Sequence, residues 1–340
     1  FLRVGFSQPV ARKLVQSFIK DCEKILVVEE GEPFMEETVK AFAQEMQYIN
    51  PVTGKDPELF SRLFEFDPAM VRAYMAKYFG VPYDAKKLPD LSDIPELPQR
   101  PPTLCAGCSH RAVFYAVNQA TEGTGSIRTT DIGCYTLGFL PPLSAGDFLI
   151  CMGSSVSTGC GFSKTIDKKV ISFIGDSTFF HSGIPGLVNA VFNNHDVNLI
   201  ILDNQITAMT GHQPHPGVDM KGMNYEGFTQ ISIESVVKGL GVEHISVIKP
   251  YNVKKSVAAI KEAIEHKGVS VIIAKQGCTL FEKSLKKHVG KPFYVSDKCK
   301  NHRDCLNDLG CPAFYLEDDK VKINPALCSG CGVCAQICPE

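Results

Sequence analysis

The chain has 340 residues, 44% of them hydrophobic and 21% charged, with a formal net charge of −2. That balance describes a globular protein of two domains, or of two and a small module, and excludes a polybasic nucleic-acid binder or a disordered chain. No run approaches the roughly 18 continuous apolar residues that a membrane-spanning helix needs.

The sequence opens on Phe1-Leu2-Arg3, without an initiator Met or a signal peptide, and so reads as a piece of a longer protein of the cytoplasm. From Pro9 to Cys22, Val10, Leu14, Val15, Phe18 and Ile19 recur at helical spacing. The apolar run Ile25-Leu26-Val27-Val28 reads as a strand ended by Glu29-Glu30-Gly31. A second helix is expected from about Pro33 to Met46, and a further helical stretch over 57–79. One clear strand makes no sheet, so residues 1–81 are expected to be a partial α/β domain. Residues 82–103 hold Pro82, Pro89, Pro95, Pro98, Pro101 and Pro102 and read as a semi-rigid linker.

Residues 104–292 alternate strand and helix. Strands are expected at Ile127–Asp131, Phe148–Met152, Val170–Ile174, Val197–Leu202, Glu243–Val247 and Ser270–Ala274. Helices fit at about 109–121, 155–166, 182–194, 230–240 and 252–266. Apolar runs alternating with helices indicate an α/β fold with a doubly wound, mostly parallel sheet, whose ligands bind at the carboxyl ends of strands.

One such end runs Val170-Ile171-Ser172-Phe173-Ile174 into Gly175-Asp176-Ser177, and another runs Leu199-Ile200-Ile201-Leu202 into Asp203-Asn204. Asp176 and the Asn204 carbonyl oxygen are hard donors suited to Mg²⁺, with room for phosphate oxygens. The helix following Gly175-Asp176 would aim its first N–H groups at the same anion. Gly followed by Asp is common and alone reads as an ordinary βα turn. Together with Asn204, twenty-eight residues past Asp176, it resembles the thiamine diphosphate signature, with Ser177 where that pattern has a final Gly. The resemblance implies Mg²⁺ ligation by Asp176, the Asn204 side chain and the Ile206 carbonyl. Gly133, Gly153, Gly175, Ser177 and Met209 are further cofactor-binding candidates.

Fourteen cysteines are clustered rather than spread, seven of them between Cys299 and Cys338. In a large chain without a secretory signal this points to metal, not disulfides. Cys328-x₂-Cys331-x₂-Cys334-x₃-Cys338-Pro339 is the bacterial ferredoxin run, in which the fourth Cys serves the other cluster. A zinc site would want two pairs of ligands. Upstream lies Cys299-x₂-His302-x₂-Cys305-x₅-Cys311-Pro312. Cross-ligation then predicts one 4Fe–4S cluster on Cys311, Cys328, Cys331 and Cys334. A second would use Cys299, Cys305 and Cys338, with His302 either a fourth ligand or a surface residue. Residues 293–340 are thus expected to be a two-cluster ferredoxin-like module. Cys105, Cys108, Cys134 and Cys278 sit at strand ends or just after the linker; singly each reads as a small buried hydrophobe. Cys22, Cys151 and Cys160 read as structural.

Cys105-Ala-Gly-Cys108-Ser-His110-Arg111, Asp131-Ile-Gly-Cys134-Tyr-Thr-Leu-Gly138, Gly175-Asp-Ser-Thr-Phe-Phe-His181-Ser-Gly183 and the run Thr207–Pro216 resemble the large subunit of indolepyruvate:ferredoxin oxidoreductases. The resemblance covers essentially the whole chain, and residues 1–81 would be its transketolase C-terminal-like domain. It implies oxidative decarboxylation of aryl 2-oxoacids, indolepyruvate and phenylpyruvate, to acyl-CoA through a thiamine enamine, with coenzyme A as co-substrate. Iron–sulfur clusters would pass the electrons to ferredoxin. It also implies a third cluster beside thiamine on Cys105, Cys108, Cys134 and Cys278, and cofactor or substrate contacts for His181 and His212, with His215 structural. Met209 stands where pyruvate enzymes place an Asn, implying a more apolar pocket. The implied partners are a small (beta) subunit, ferredoxin and a pyrimidine-binding domain that normally precedes this segment, in a dimer of heterodimers. The alternatives are a pyruvate- or branched-chain-type 2-oxoacid oxidoreductase and a non-catalytic electron-transfer subunit.

Overall fold

Apolar side chains at helical spacing over the first residues fold as expected, though over shorter spans. In the computed structural model, which describes all residues except 86–89, 91, 98, 100, 221, 222, 224 and 287–289, the chain divides into units 1–98 and 99–340. The first unit contains α1 (Arg12–Ile19), β1 (Ile25–Leu26), α2 (Phe34–Glu45), β2 (Val52–Thr53) and α3 (Pro68–Phe79). Val15, Ile19, Ile25, Val39 and Phe42 form its small core. Two expectations need correction here. Helix does not begin at 57 but at Pro68, because Asp67 caps it, its carboxylate accepting the N–H groups of Ala69 and Met70 at 2.8 and 2.9 Å. The single strand also has a partner: Val52-Thr53 pairs with Ile25-Leu26 in parallel. Of the linker prolines, Pro89 and Pro98 lie outside the described residues.

The second unit continues with α4 (Ser109–Ala120), β3 (Ile127–Thr130), a 3₁₀ turn over Cys134–Phe139, β4 (Phe148–Leu149), α5 (Ser154–Thr165) and β5 (Val170–Gly175). A short α6 (Asp176–Thr178) runs through a π-helical turn, Phe179–Gly183, into α7 (Ile184–Phe192). Then come β6 (Val197–Asp203), α8 (Ile233–Gly239), β7 (His244–Ile248), α9 (Val253–Glu265), β8 (Ser270–Lys275) and α10 (Thr279–Ser284). All six strands pair in parallel, in the order β4-β3-β5-β6-β8-β7.

Strand alternation assigns each apolar side chain to one of two layers. Ile171, Phe173, Ile200, Leu202 and Ile272 meet Val113, Phe114 and Val117 of α4 and Ile260 and Ala263 of α9. Ile174, Leu199, Ile201, Val271 and Ile273 meet Val156 of α5, Leu187 of α7 and Ile233 and Val237 of α8. Every residue of β5 and β6 is buried, and full burial of each large apolar side chain contributes about 1.5–3 kcal/mol. Helices thus cover both faces, which makes the sheet doubly wound. From β3 the chain moves outward to the edge strand β4 and returns on the other side to β5. The order therefore reverses between β3 and β5, and this is where a crevice opens beyond the strand ends.

The tail comprises α11 (Asp304–Asn307), the antiparallel hairpin β9 (Phe314–Glu317) and β10 (Lys320–Ile323), and α12 (Val333–Ile337). It packs on the α/β body through a cluster containing Ala112, Val253, Leu309 and Val333, with Cys311, Cys331 and Cys334 against it. No described helix is long and apolar enough to cross a membrane.

Candidate active site

The crevice at the β3–β5 reversal is a cavity of about 540 Å³ lined by Gly133, Tyr135, Gly175, Asp176, Ser177, Asn204, Ile206 and Met209, among others. Its walls follow from local structure. The Tyr135 ring, carried on the 3₁₀ turn after β3, lies so close over the crevice floor that a Cβ at Gly133 would overlap it and one at Gly175 would lie 2.7 Å from it. Asp176 starts α6 directly at the end of β5, and its Oδ1 accepts the Ser177 N–H at 2.8 Å. Its Oδ2 accepts the Gln205 N–H at 2.6 Å, tying the ends of β5 and β6 together.

The Asn204 amide end stands 3.1 and 3.2 Å from the two Asp176 oxygens and 2.8 Å from the Ile206 carbonyl. With protein groups alone the amide NH₂ must point there. With its oxygen turned inward, the same three residues present converging oxygens and no donor, a set suited to a hard dication. Charge supports this: burial, and next the negative charge of Asp176, push the neighbouring Asp203 carboxyl up to about 6. The residues present therefore fit Mg²⁺ and the diphosphate of thiamine diphosphate.

His215 was expected to be merely structural. The structure sets its Nε2 3.1 Å from Asp176 Oδ2, with both side chains 3% exposed, while its Nδ1 accepts the Gly217 N–H at 3.2 Å. His110 also escaped assignment. It is 3% exposed, its Nδ1 has no hydrogen-bond partner, and burial pushes its imidazole down to about 4 against the upward pull of Asp176, so it is neutral near pH 7. Its only signal in the sequence was its place two residues past Cys108, in the first turn of α4.

A second cavity, about 680 Å³, is lined by Cys105, Cys108, Cys134 and Cys278 together with His212. It shares His110, Cys134, Asn204 and Ala208 with the first, so the two spaces have a common wall. The Cys108 sulfur accepts from the N–H groups of His110 and Arg111 at the start of α4, and burial pushes its thiol up to about 12. Cys134 is pushed up to about 11, first by burial and next by the charges of Cys278 and Cys105.

The tail cysteines fall into two sets. Cys311, Cys328, Cys331 and Cys334 line a third cavity of about 340 Å³. Burial and the other three thiols push Cys334 up to about 12. Cys305 is pushed up to about 11 by burial and by Cys299 and Cys338, which lie near it. His302 is turned instead toward Glu340, with Nε2 3.3 Å from Oε1. Among the described residues, no three His, Cys, Asp or Glu side chains converge on a point fit for a single metal ion. A cubane is anchored at separated corners, and the two four-cysteine cavities suit such a group better than a lone ion.

Some expected site residues lie elsewhere. His181, on the π-helical turn, is exposed and lines none of these cavities. His212 belongs to the cysteine cavity, its Nε2 3.9 Å from Cys278 Sγ and its ring stacked on Phe281. Gly153 caps α5 outside the lining of the crevice. Met209 lines the crevice and is 48% exposed. Cys151 is exposed, so packing does not account for it.

The comparisons with known proteins agree with this geometry. The family model "Thiamine pyrophosphate enzyme, C-terminal TPP binding domain" matches residues 131–274, and a 4Fe-4S binding domain model matches 321–340. The indolepyruvate oxidoreductase subunit IorA of Methanothermobacter thermautotrophicus is 43% identical over 99% of this chain and 54% of its own length. That of Archaeoglobus fulgidus is 39% identical over 100% of this chain and 55% of its own. The Thermococcus kodakarensis protein is 38% identical over 99% and 55%. The chain thus spans about half the length of the curated relatives it matches. Over that span, in its thiamine-type sheet and its ferredoxin-like tail alike, it belongs to the indolepyruvate oxidoreductase IorA family.

Proposed function

We propose that this chain is the part of a 2-oxoacid:ferredoxin oxidoreductase that holds thiamine diphosphate and leads electrons away from it. The reaction assigned is the oxidative decarboxylation of aryl 2-oxoacids, with coenzyme A receiving the acyl group. One observation carries the reading: the Asp176 crevice and the cavity of Cys105, Cys108, Cys134 and Cys278 share a wall. Electrons released in the first space have an acceptor site next to it.

Asp176, the Asn204 side-chain oxygen and the Ile206 carbonyl would hold Mg²⁺ against the diphosphate, and the backbone N–H groups of α6 would face the phosphate. His215 buttresses Asp176 from behind. When bound, thiamine diphosphate supplies the nucleophilic carbon and the electron sink, and the iron–sulfur clusters accept the electrons singly. Neutral His110 offers that space a polar contact without a fixed charge. Leu202, Ala208, Met152 and Met209 keep the lining apolar, which lowers the local dielectric and favours an aryl side chain over a small one. The relatives' name supports the aryl substrates. The reading places a small subunit, ferredoxin and a pyrimidine-binding domain beside this chain, in a dimer of heterodimers.

Asp176→Ala tests it. Calorimetric titration of the complete enzyme with thiamine diphosphate should show affinity weakened about tenfold or more, with its Mg²⁺ dependence lost. Unchanged affinity would leave a non-catalytic electron-transfer subunit. Indolepyruvate and phenylpyruvate should turn over faster than pyruvate in the wild-type enzyme; the reverse order would replace the aryl assignment with a pyruvate-type one.

A further inference from the structure

Arg111 is 3% exposed, in the first turn of α4. Its Nη1 donates to the carbonyls of Leu309 at 2.9 Å and Gly310 at 2.7 Å, immediately before Cys311. Its Nη2 donates to the Leu104 carbonyl, immediately before Cys105, and to Thr103 Oγ1 at 3.2 Å. One guanidinium fork thus joins the backbone leading into a cysteine of the α/β body to the backbone leading into a cysteine of the tail. The two loops also touch directly: a Cβ at Gly107, between Cys105 and Cys108, would overlap Ser329 Oγ, between Cys328 and Cys331. A second clamp lies nearby, where Gln336 Oε1 accepts the Val253 N–H at 3.0 Å and Gln336 Nε2 donates to the Tyr251 carbonyl at 2.7 Å.

The guanidinium is held through its Nη atoms alone, its buried Nε has no hydrogen-bond partner among the described residues, and it lacks a counter-charge, which is strongly destabilising for a buried charge. Among the described residues no carboxylate pairs with Arg111. The groups that act on its charge most are cysteine sulfurs, Cys311 first, then Cys108, Cys105 and Cys331, all of which would be thiolates on bound clusters. Two belong to the cavity beside the thiamine crevice and two to the tail cavity. A cubane held by four thiolates is itself anionic, more so when reduced, so a fixed positive charge between two of them favours the reduced state of both.

We propose that Arg111 is a positioning residue for electron transfer, locking the Cys105 and Cys311 segments at a fixed spacing and raising the reduction potentials of the two clusters it stands between. Lysine cannot replace it fully, because a single ammonium cannot donate to both segments in the planar geometry of the fork.

The inference rests on the electron-relay reading above, so the test begins with wild-type enzyme, purified anaerobically and complete. Absence of cluster iron there overturns both readings. With iron present, Arg111→Met and Arg111→Lys are compared by redox titration monitored by electron paramagnetic resonance. Arg111→Met should keep its iron. The clusters of the Cys105 and Cys311 sets should both shift to more negative potential, by enough to change the reduced-to-oxidised ratio about tenfold, or about 59 mV for a one-electron couple. The Cys299–Cys305–Cys338 set, which Arg111 does not face, should not move. Arg111→Lys should fall between Met and wild type. Intact clusters with unshifted potentials, or a shift in one set alone, overturn the Arg111 assignment while leaving the relay standing. If Arg111→Met loses iron, Arg111→Lys decides: retained iron with potentials near wild type supports the role of the charge, and equal loss of iron overturns it.

Discussion

Asp131 shows how a single buried carboxylate couples the site to stability. It is fully buried past the end of β3, with Oδ1 accepting the Ser155 N–H at 2.7 Å and Oδ2 accepting the Ser155 hydroxyl at 3.0 Å. Burial pushes its carboxyl up to about 6, above the ordinary 3.8. The folded state therefore holds the proton more tightly than the unfolded state. The contribution of this group to stability is therefore full below about pH 4 and is lost as pH rises through 6, on the order of 3 kcal/mol. Asp203 is shifted in the same direction and His110 in the opposite one, so Asp131→Asn should make the change of stability from pH 4 to 6 more favourable than in the wild type, by on the order of 3 kcal/mol. Urea unfolding at several pH values measures it, and an unchanged slope would place the titration elsewhere. At this scale the sequence was legible where chemistry follows a strand. Asp176 and Asn204 stand at strand ends, and the thiols keep ferredoxin spacing. His110 and His215 were not legible, because what matters about them arises across loops that only the fold brings together: His215 reaches Asp176 over 39 positions of chain.

Elements were readable in proportion to their length and apolar content. The six sheet strands stand in the expected places because runs such as Val170–Gly175 and Val197–Asp203 are buried on both faces and therefore apolar throughout. Two-residue β2 carries no periodicity, and the Asp67 cap that starts α3 late is a local hydrogen bond that apolar spacing does not report. The helix after β5 begins at Asp176 rather than 182 because the strand passes straight into α6, which continues through the π-helical turn into α7. The start of α5 depends likewise on one residue. Gly153 sits at φ +84 as its N-cap, and a Cβ there would overlap Ser182 Oγ in the π-helical turn. Gly153→Ala should cost at least about 1–2 kcal/mol for the left-handed backbone alone. It should also loosen Ser155 from Asp131, since Ser155 lies in the first turn that Gly153 caps. Chemical unfolding gives the loss, and a change below about 0.5 kcal/mol would mean that the turn relaxes into another conformation.

For the whole molecule the question is how many clusters line the path from the crevice to the tail surface. The order in space is the Asp176 crevice, the cavity of Cys105, Cys108, Cys134 and Cys278, then the cavity of Cys311, Cys328, Cys331 and Cys334, each against the next. The last set differs, since Cys299 and Cys338 are exposed and His302 is engaged with Glu340 rather than with the thiols. Three cubanes correspond to about twelve iron atoms per chain, four for each full set. Cys278→Ala should lower this to about eight without disturbing the tail, because Cys278 contributes to the cavity beside the crevice alone. Iron and sulfide assays on anaerobically purified wild-type and Cys278→Ala enzyme make the comparison. Equal iron in both would mean that the cavity beside the thiamine crevice holds no cluster. Electrons would then have to cross directly from the Asp176 crevice to the tail, past the Arg111 clamp, and the adjacency of the first two cavities would lose its redox meaning.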